Sequence, residues 1–129
     1  MAKKRILRGA IIWAEVREPI HRQPVGEHPA VVLNSQEEID RGDPLRVVVC
    51  STGFSYPLRP GWFDMPSRPG PGGHPATGLD EACVVKATWI DNVPQSAARM
   101  KRPTDRCPAA IFRQINDWLL SHGVGDTQP

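Results

Sequence analysis

The sequence predicts a mainly β domain: a small β-barrel of short strands with one helix at its C-terminal end. Two observations predict it. Short apolar runs rich in β-branched residues recur along the chain, each stopped by glycine, proline or small polar residues. A single stretch near the end has the apolar spacing of an amphipathic helix. The length, 129 residues, is that of one domain, and an apolar content of 40% fills one core rather than two. We therefore read residues 1–129 as a single domain with a basic tail at 1–7, a Pro/Gly-rich loop at 67–77 and a C-terminal tail at 123–129.

The first strand is Ala10 to Val16, apolar and β-branched with one tryptophan. Arg17 to Gly26 carries two prolines, two arginines and a histidine and reads as a loop. Ala30-Val31-Val32-Leu33 is the second strand, and its unbroken apolar character predicts burial on both faces. Ser35 with Glu38 three residues on is a capping box for a short helical turn. Gly42-Asp43-Pro44 turns the chain into a third strand, Arg46 to Cys50. From Ser55 to Thr77 six prolines alternate with four glycines. Proline removes ladder donors, so only Trp62 to Met65 reads as a brief edge strand, and Ser67 to Thr77 as a mobile, exposed insertion. Ala82 to Ile90 is a further strand, and Asn92 to Asp105 is polar and irregular. Pro108 opens the helix, where a missing N–H costs nothing. Ile111, Ile115, Trp118, Leu119 and His122 make one face, and Gly123 stops it.

The formal charge is only +2, so composition imposes no strongly basic surface. Basic residues do cluster at Lys3, Lys4, Arg5 and Arg8, and again at Arg99, Lys101 and Arg102; each cluster is either a phosphate contact or a solvated face. Three cysteines without close pairs argue against a disulfide framework or a zinc site, and Cys50 and Cys83 read as small core residues. No apolar run is long enough for a membrane span, and no signal peptide is visible, so the expected location is the cytoplasm. No metal or cofactor is called for.

Five segments in order carry a resemblance. They are Arg8-Gly9-Ala10-Ile11-Ile12-Trp13, then Gly26-Glu27-His28-Pro29-Ala30-Val31-Val32-Leu33-Asn34, then Val48-Val49-Cys50-Ser51-Thr52, then Gly78-Leu79-Asp80-Glu81-Ala82-Cys83-Val84-Val85, and the terminal helix. Over roughly residues 8–122 this order resembles the PemK/MazF family of toxin endoribonucleases. The resemblance implies an SH3-like barrel that pairs into a homodimer. It implies metal-free cleavage of single-stranded RNA, and a cognate antitoxin that lays a disordered acidic segment across the site.

Metal-free RNA cleavage uses the ribose 2′-OH as nucleophile and needs a base, an acid and positive charge or donors for the phosphorane. Thr52 matches the family's strand-end threonine, or is an ordinary turn residue before Gly53; Ser51 carries the same two readings. His28 stands where the family has arginine. Arginine stays charged and grips phosphate bidentately, whereas histidine, with a reference pKa of about 6.5, exchanges protons near neutrality. His28 is thus either the general acid or base, or the mark of a lost site. His21 and Arg22 lie loosely where some members hold phosphate. Lys86 falls where some members place an arginine, and Thr88 where those have an aspartate. Trp89 after them reads as packing rather than base stacking.

The expected function is a metal-independent endoribonuclease toxin with His28 and Thr52 as catalytic residues, and Arg22, Ser51, Lys86, His21 and Thr88 as contacts to RNA and its phosphates. The alternative is a catalytically degenerate module binding nucleic acid or peptide on the same fold. A gyrase-poisoning relative of the CcdB type ranks lower. That type relies on a C-terminal tryptophan segment, and the last tryptophan here, Trp118, lies inside the helix.

Overall fold

The computed structural model describes residues 5–122. Strand β1 spans Ile11–Arg17, β2 Pro24–Val32, β3 Leu45–Ser51, β4 Trp62–Met65 and β5 Cys83–Val93. Helix α1 (Gln36–Asp40) follows β2, a 3-10 turn covers Gln95–Ala97, and helix α2 spans Ala109–Ser121. The strands form one five-stranded antiparallel sheet in the order β1-β2-β3-β5-β4. Isolated bridges join Ala10 to Arg106 and Trp13 to Arg99, so the segment after β5 runs along the outer edge of β1.

The valine-rich strands are central because their side chains are buried on both faces. One face places Ile11, Val31, Val48, Cys50 and Val85 under Ile115 and Leu119 of α2. The other packs Ile12, Ala30, Val32, Val47 and Val93 against Ile39 of α1. Alternation along a strand sends neighbours to opposite faces, so an uninterrupted apolar run is what a doubly covered strand requires. The capping box forms as expected: the Glu38 N–H donates to Ser35 Oγ at 3.2 Å, and the Ser35 N–H to Glu38 Oε1 at 2.9 Å. Cys50, Cys83 and Cys107 are free and buried.

Three boundaries differ from the sequence reading. The loop expected at Arg17 to Gly26 is shorter and covers residues 18–23, since β1 reaches Arg17 and β2 starts at Pro24, paired with Arg17. These residues are exposed, so no apolar period marks them, and proline is tolerated as the first residue of a strand. Strand β5 continues to Val93 rather than ending at Ile90. Pro108 is the N-cap of α2, one position before its first helical residue. The Pro/Gly-rich loop is exposed across Pro69 to Gly72, as expected, but its far end is anchored. Thr77 is buried and donates its hydroxyl to the Pro66 carbonyl at 2.7 Å, while the N–H groups of Arg68 and His74 both reach the Leu79 carbonyl at 3.0 Å. Lys3, Lys4, the Gly123 stop and the 123–129 tail lie outside the described residues.

Gly61 enters β4 at φ +85°, and a Cβ there would stand 2.8 Å from the Trp118 ring, so only glycine lets this turn cross α2. The helix is held chiefly by its own apolar face. Truncating Ile115, fully buried between α2 and the sheet, removes packing that nothing can refill. Ile115→Ala is expected to lower unfolding free energy by about 3 kcal/mol, read as a shifted urea midpoint at unchanged slope.

Candidate functional site

Strand β2 carries His28 opposite Ala14 of β1. The half-buried imidazole has Nδ1 3.2 Å from the Gly26 carbonyl. A carbonyl only accepts, so Nδ1 is the donor in this contact, and in a neutral ring the lone pair is then on Nε2. The ring also lies against Trp89, with centroids 5.4 Å apart and planes inclined by 59°. Trp89 is fixed in turn, its Nε1–H donating to the Arg17 carbonyl at 2.7 Å.

Strand β3 ends in two hydroxyls. Ser51 Oγ accepts from the Gly53 N–H at 3.0 Å, and Thr52 is exposed. Lys86 on β5 reaches the same place: its ammonium donates to the Gly53 carbonyl at 2.8 Å and stands 4.0 Å over the Trp62 ring. Burial, then the neighbouring Arg59, makes that ammonium more acidic than an ordinary lysine. Thr88 accepts a hydrogen bond from Trp62 Nε1 at 3.0 Å.

His28 and Thr52 line one cleft of about 190 Å³. Trp13, Cys50 and Cys83 also line it, and it carries three carboxylates, Glu27, Asp80 and Glu81. Strand pleating adds a refinement. His28 shares the face of Ala30, which pairs with Val49, so the β3 residue on its face is Ser51. Thr52, just past the strand, continues the parity of Cys50. The two side chains therefore point to opposite faces of the sheet margin, with Ser51 on the imidazole's face and Trp13 and Cys50 of the cleft on that of Thr52.

The carboxylate of Glu27 is held below its ordinary range chiefly by a bond from Arg99, 2.5 Å away. The Cys50 thiol is pushed well above its ordinary value by its contact with Cys83 and by burial, and burial pushes Cys107 up to about 12. Neither offers a thiolate at neutral pH. Among the described residues, no group of three or more His, Cys, Asp or Glu side chains is placed to hold a metal ion.

His21 and Arg22 do not border the cleft. The N–H of His21 donates to the Glu18 carboxylate at the hairpin tip. Arg22, at φ +58°, sends its guanidinium to Asp91 Oδ1 at 2.6 Å. The sequence reading missed this Asp91. It is 2% exposed, and it accepts the Arg17 backbone N–H and guanidinium, each at 2.9 Å. Its one sequence signal is a lone carboxylate in an otherwise apolar strand end. Trp13 and Glu27 were likewise unassigned; Arg99, read as part of a basic cluster, pairs with Trp13 backbone to backbone, which brings its side chain to Glu27.

Burial alone would raise the Asp91 pKa, but the bonds from Arg17 outweigh it and hold the carboxyl below the usual range. A lowered folded-state value means the stabilisation is complete above the unfolded value of about 4 and is lost as pH falls through the folded one. Both arginines are partly exposed and screened, so the loss is moderate. Asp91→Asn is expected to cost about 2 kcal/mol at neutral pH. In urea titrations across a pH series, the gap to the native chain should close below about pH 4; a gap constant with pH would contradict this account.

No family model matches the chain, and no curated protein matches it.

Proposed function

We propose that this chain is a metal-independent endoribonuclease that cleaves single-stranded RNA, the toxin of a toxin–antitoxin pair. On this reading the sheet is an SH3-like barrel, closed where the Arg99 and Arg106 segment bridges the outer edge of β1. Two such chains form a cytoplasmic homodimer, and an acidic segment of the cognate antitoxin covers the site. The single observation that carries the reading is that His28 and the strand-end residue Thr52 both line one cleft.

His28 Nε2 takes the proton of the ribose 2′-OH, and the 2′-oxygen attacks the adjoining phosphorus. Negative charge builds on the non-bridging oxygens, where Lys86 and the hydroxyls of Ser51 and Thr52 donate. The P–O5′ bond breaks, and the departing 5′-oxygen takes a proton from water at the open margin. The products are a 2′,3′-cyclic phosphate and a free 5′-OH. His21 and Arg22 contribute only at the hairpin tip, where RNA outside the cleft passes.

One observation favours a second reading, a binding module without turnover. The carboxylates of Glu27, Asp80 and Glu81 line the cleft, and among the described residues only Glu27 is met by an arginine. Such a cleft repels phosphate and suits a cationic peptide.

Incubation of a varied single-stranded RNA pool with the purified chain, in the presence of a chelator, separates the readings. Cleavage with cyclic-phosphate ends is expected, and His28→Ala should slow it by roughly 10²–10⁴-fold. Equal rates for the native chain and the variant would remove His28 from the chemistry. Binding without product would favour the second reading.

A further inference from the structure

Two cations lean on one indole beside the strand-end hydroxyls. The Lys86 ammonium stands 4.0 Å from the Trp62 ring centroid, and the Arg59 guanidinium carbon 5.3 Å from it. The bond from Lys86 to the Gly53 carbonyl, 2.8 Å, ties this cluster to the residue after Thr52. Among the described residues, neither Arg59 nor Lys86 pairs with a carboxylate. Asp64, on the same strand as Trp62, is engaged by the Tyr56 hydroxyl at 2.6 Å.

Most of the other guanidiniums near the sheet ends are already matched. Arg17 and Arg22 share Asp91, Arg99 holds Glu27, and Arg102 holds Asp105. The Arg59 and Lys86 pair is different. Two like charges gather on one ring with no carboxylate paired to either among the described residues, and like charges held close together repel unless an anion sits between or above them. The indole, itself half-buried, lowers that cost through its negative face.

We propose that Arg59, Lys86 and Trp62 form a subsite for a backbone phosphate of a single-stranded polynucleotide, adjoining the linkage cleaved at His28. The neighbouring cleavage rests on the nuclease reading; the phosphate contact itself does not. Arg59 supplies the fork that grips phosphate oxygens, and Lys86 supplies a point charge shared with the strand-end hydroxyls. The arrangement places positive charge on β5 and beside β4.

The test is the salt dependence of binding to a fluorescent oligodeoxynucleotide, which lacks the 2′-OH and cannot be cleaved. Each phosphate neutralised on a single strand contributes roughly 0.7 to the slope of log K against log salt. Arg59→Gln is expected to reduce the slope by about 0.7, which is roughly fivefold weaker binding at about 0.1 M salt. Arg59→Lys should restore most of it, and an unchanged urea midpoint for both variants checks that they fold. A native slope in Arg59→Gln overturns the subsite, even if the native chain cleaves RNA. So does salt-independent binding by the native chain. If Arg59→Gln keeps the oligonucleotide slope but loses affinity for a polyglutamate peptide, the pair serves an acidic protein and the subsite is overturned. The expected slope change in a chain that cleaves no RNA upholds the subsite and removes the nuclease reading alone.

Discussion

The site depends on one irregularity in the central ladder. Between Val48 and Val49 the pairing of β3 with β5 jumps from Ile90 to Lys86, leaving Ala87, Thr88 and Trp89 on the long side. A bulge of this kind re-aims side chains that a regular ladder would hold in alternation. Here it turns Trp89 towards His28, sets Thr88 under the Trp62 Nε1–H, and leaves Lys86 to reach Gly53. The bulge is held from outside, since the Ala87 N–H donates to the Gly61 carbonyl at 2.8 Å. Gly61 is also the residue that must lack a side chain to pass Trp118. The packing of α2 and the aim of β5 are thus joined at one turn.

Charge is distributed around this frame unevenly. Carboxylates occupy the cleft, cations gather at the margin where β3 ends, and most arginines elsewhere are paired one to one or share a buried acid. A strand of phosphates would therefore be drawn along the margin rather than into the cleft. In that geometry a histidine at position 28 makes physical sense. Binding and proton transfer are separate tasks, and arginine serves only the first. On the proposed nuclease reading, Lys86 and Arg59 carry the positive charge and the β2 position is left to a group that transfers protons.

Much of the sheet was legible because doubly buried strands need β-branched residues without polar breaks, and Val31–Val32 and Val47–Val49 supply them. The capping box of α1 and the apolar face of α2 were legible for the same local reason. The outer hairpin was not, because Pro24 to Glu27 face solvent and any residue type suits an exposed strand. Site residues divided along similar lines. His28, Ser51 and Thr52 stand where apolar runs stop, so the sequence marked them. His21 and Arg22 stand in a tip whose geometry is set by Glu18 and Asp91, and no spacing rule reports those bonds. Trp62 and Arg59 escaped notice because their meaning lies in Lys86, whose side chain comes from a different strand.

The orientation of the imidazole is the end of a chain of contacts rather than a local property. Asp91 draws the Arg17 backbone and side chain together; the Arg17 carbonyl fixes the Trp89 indole; the Trp89 ring meets His28, which Gly26 holds from behind. A single such bond contributes only about 1 kcal/mol net, too little to decide whether the domain folds. Each is comparable to the cost of ordering one side chain, about 1 kcal/mol, and proton transfer requires acceptor and hydroxyl to meet within hydrogen-bond reach. On the proposed nuclease reading, what this hairpin supplies is geometry more than stability. That gives a physical reason for burying a carboxylate 2% exposed where an apolar residue would pack at lower cost.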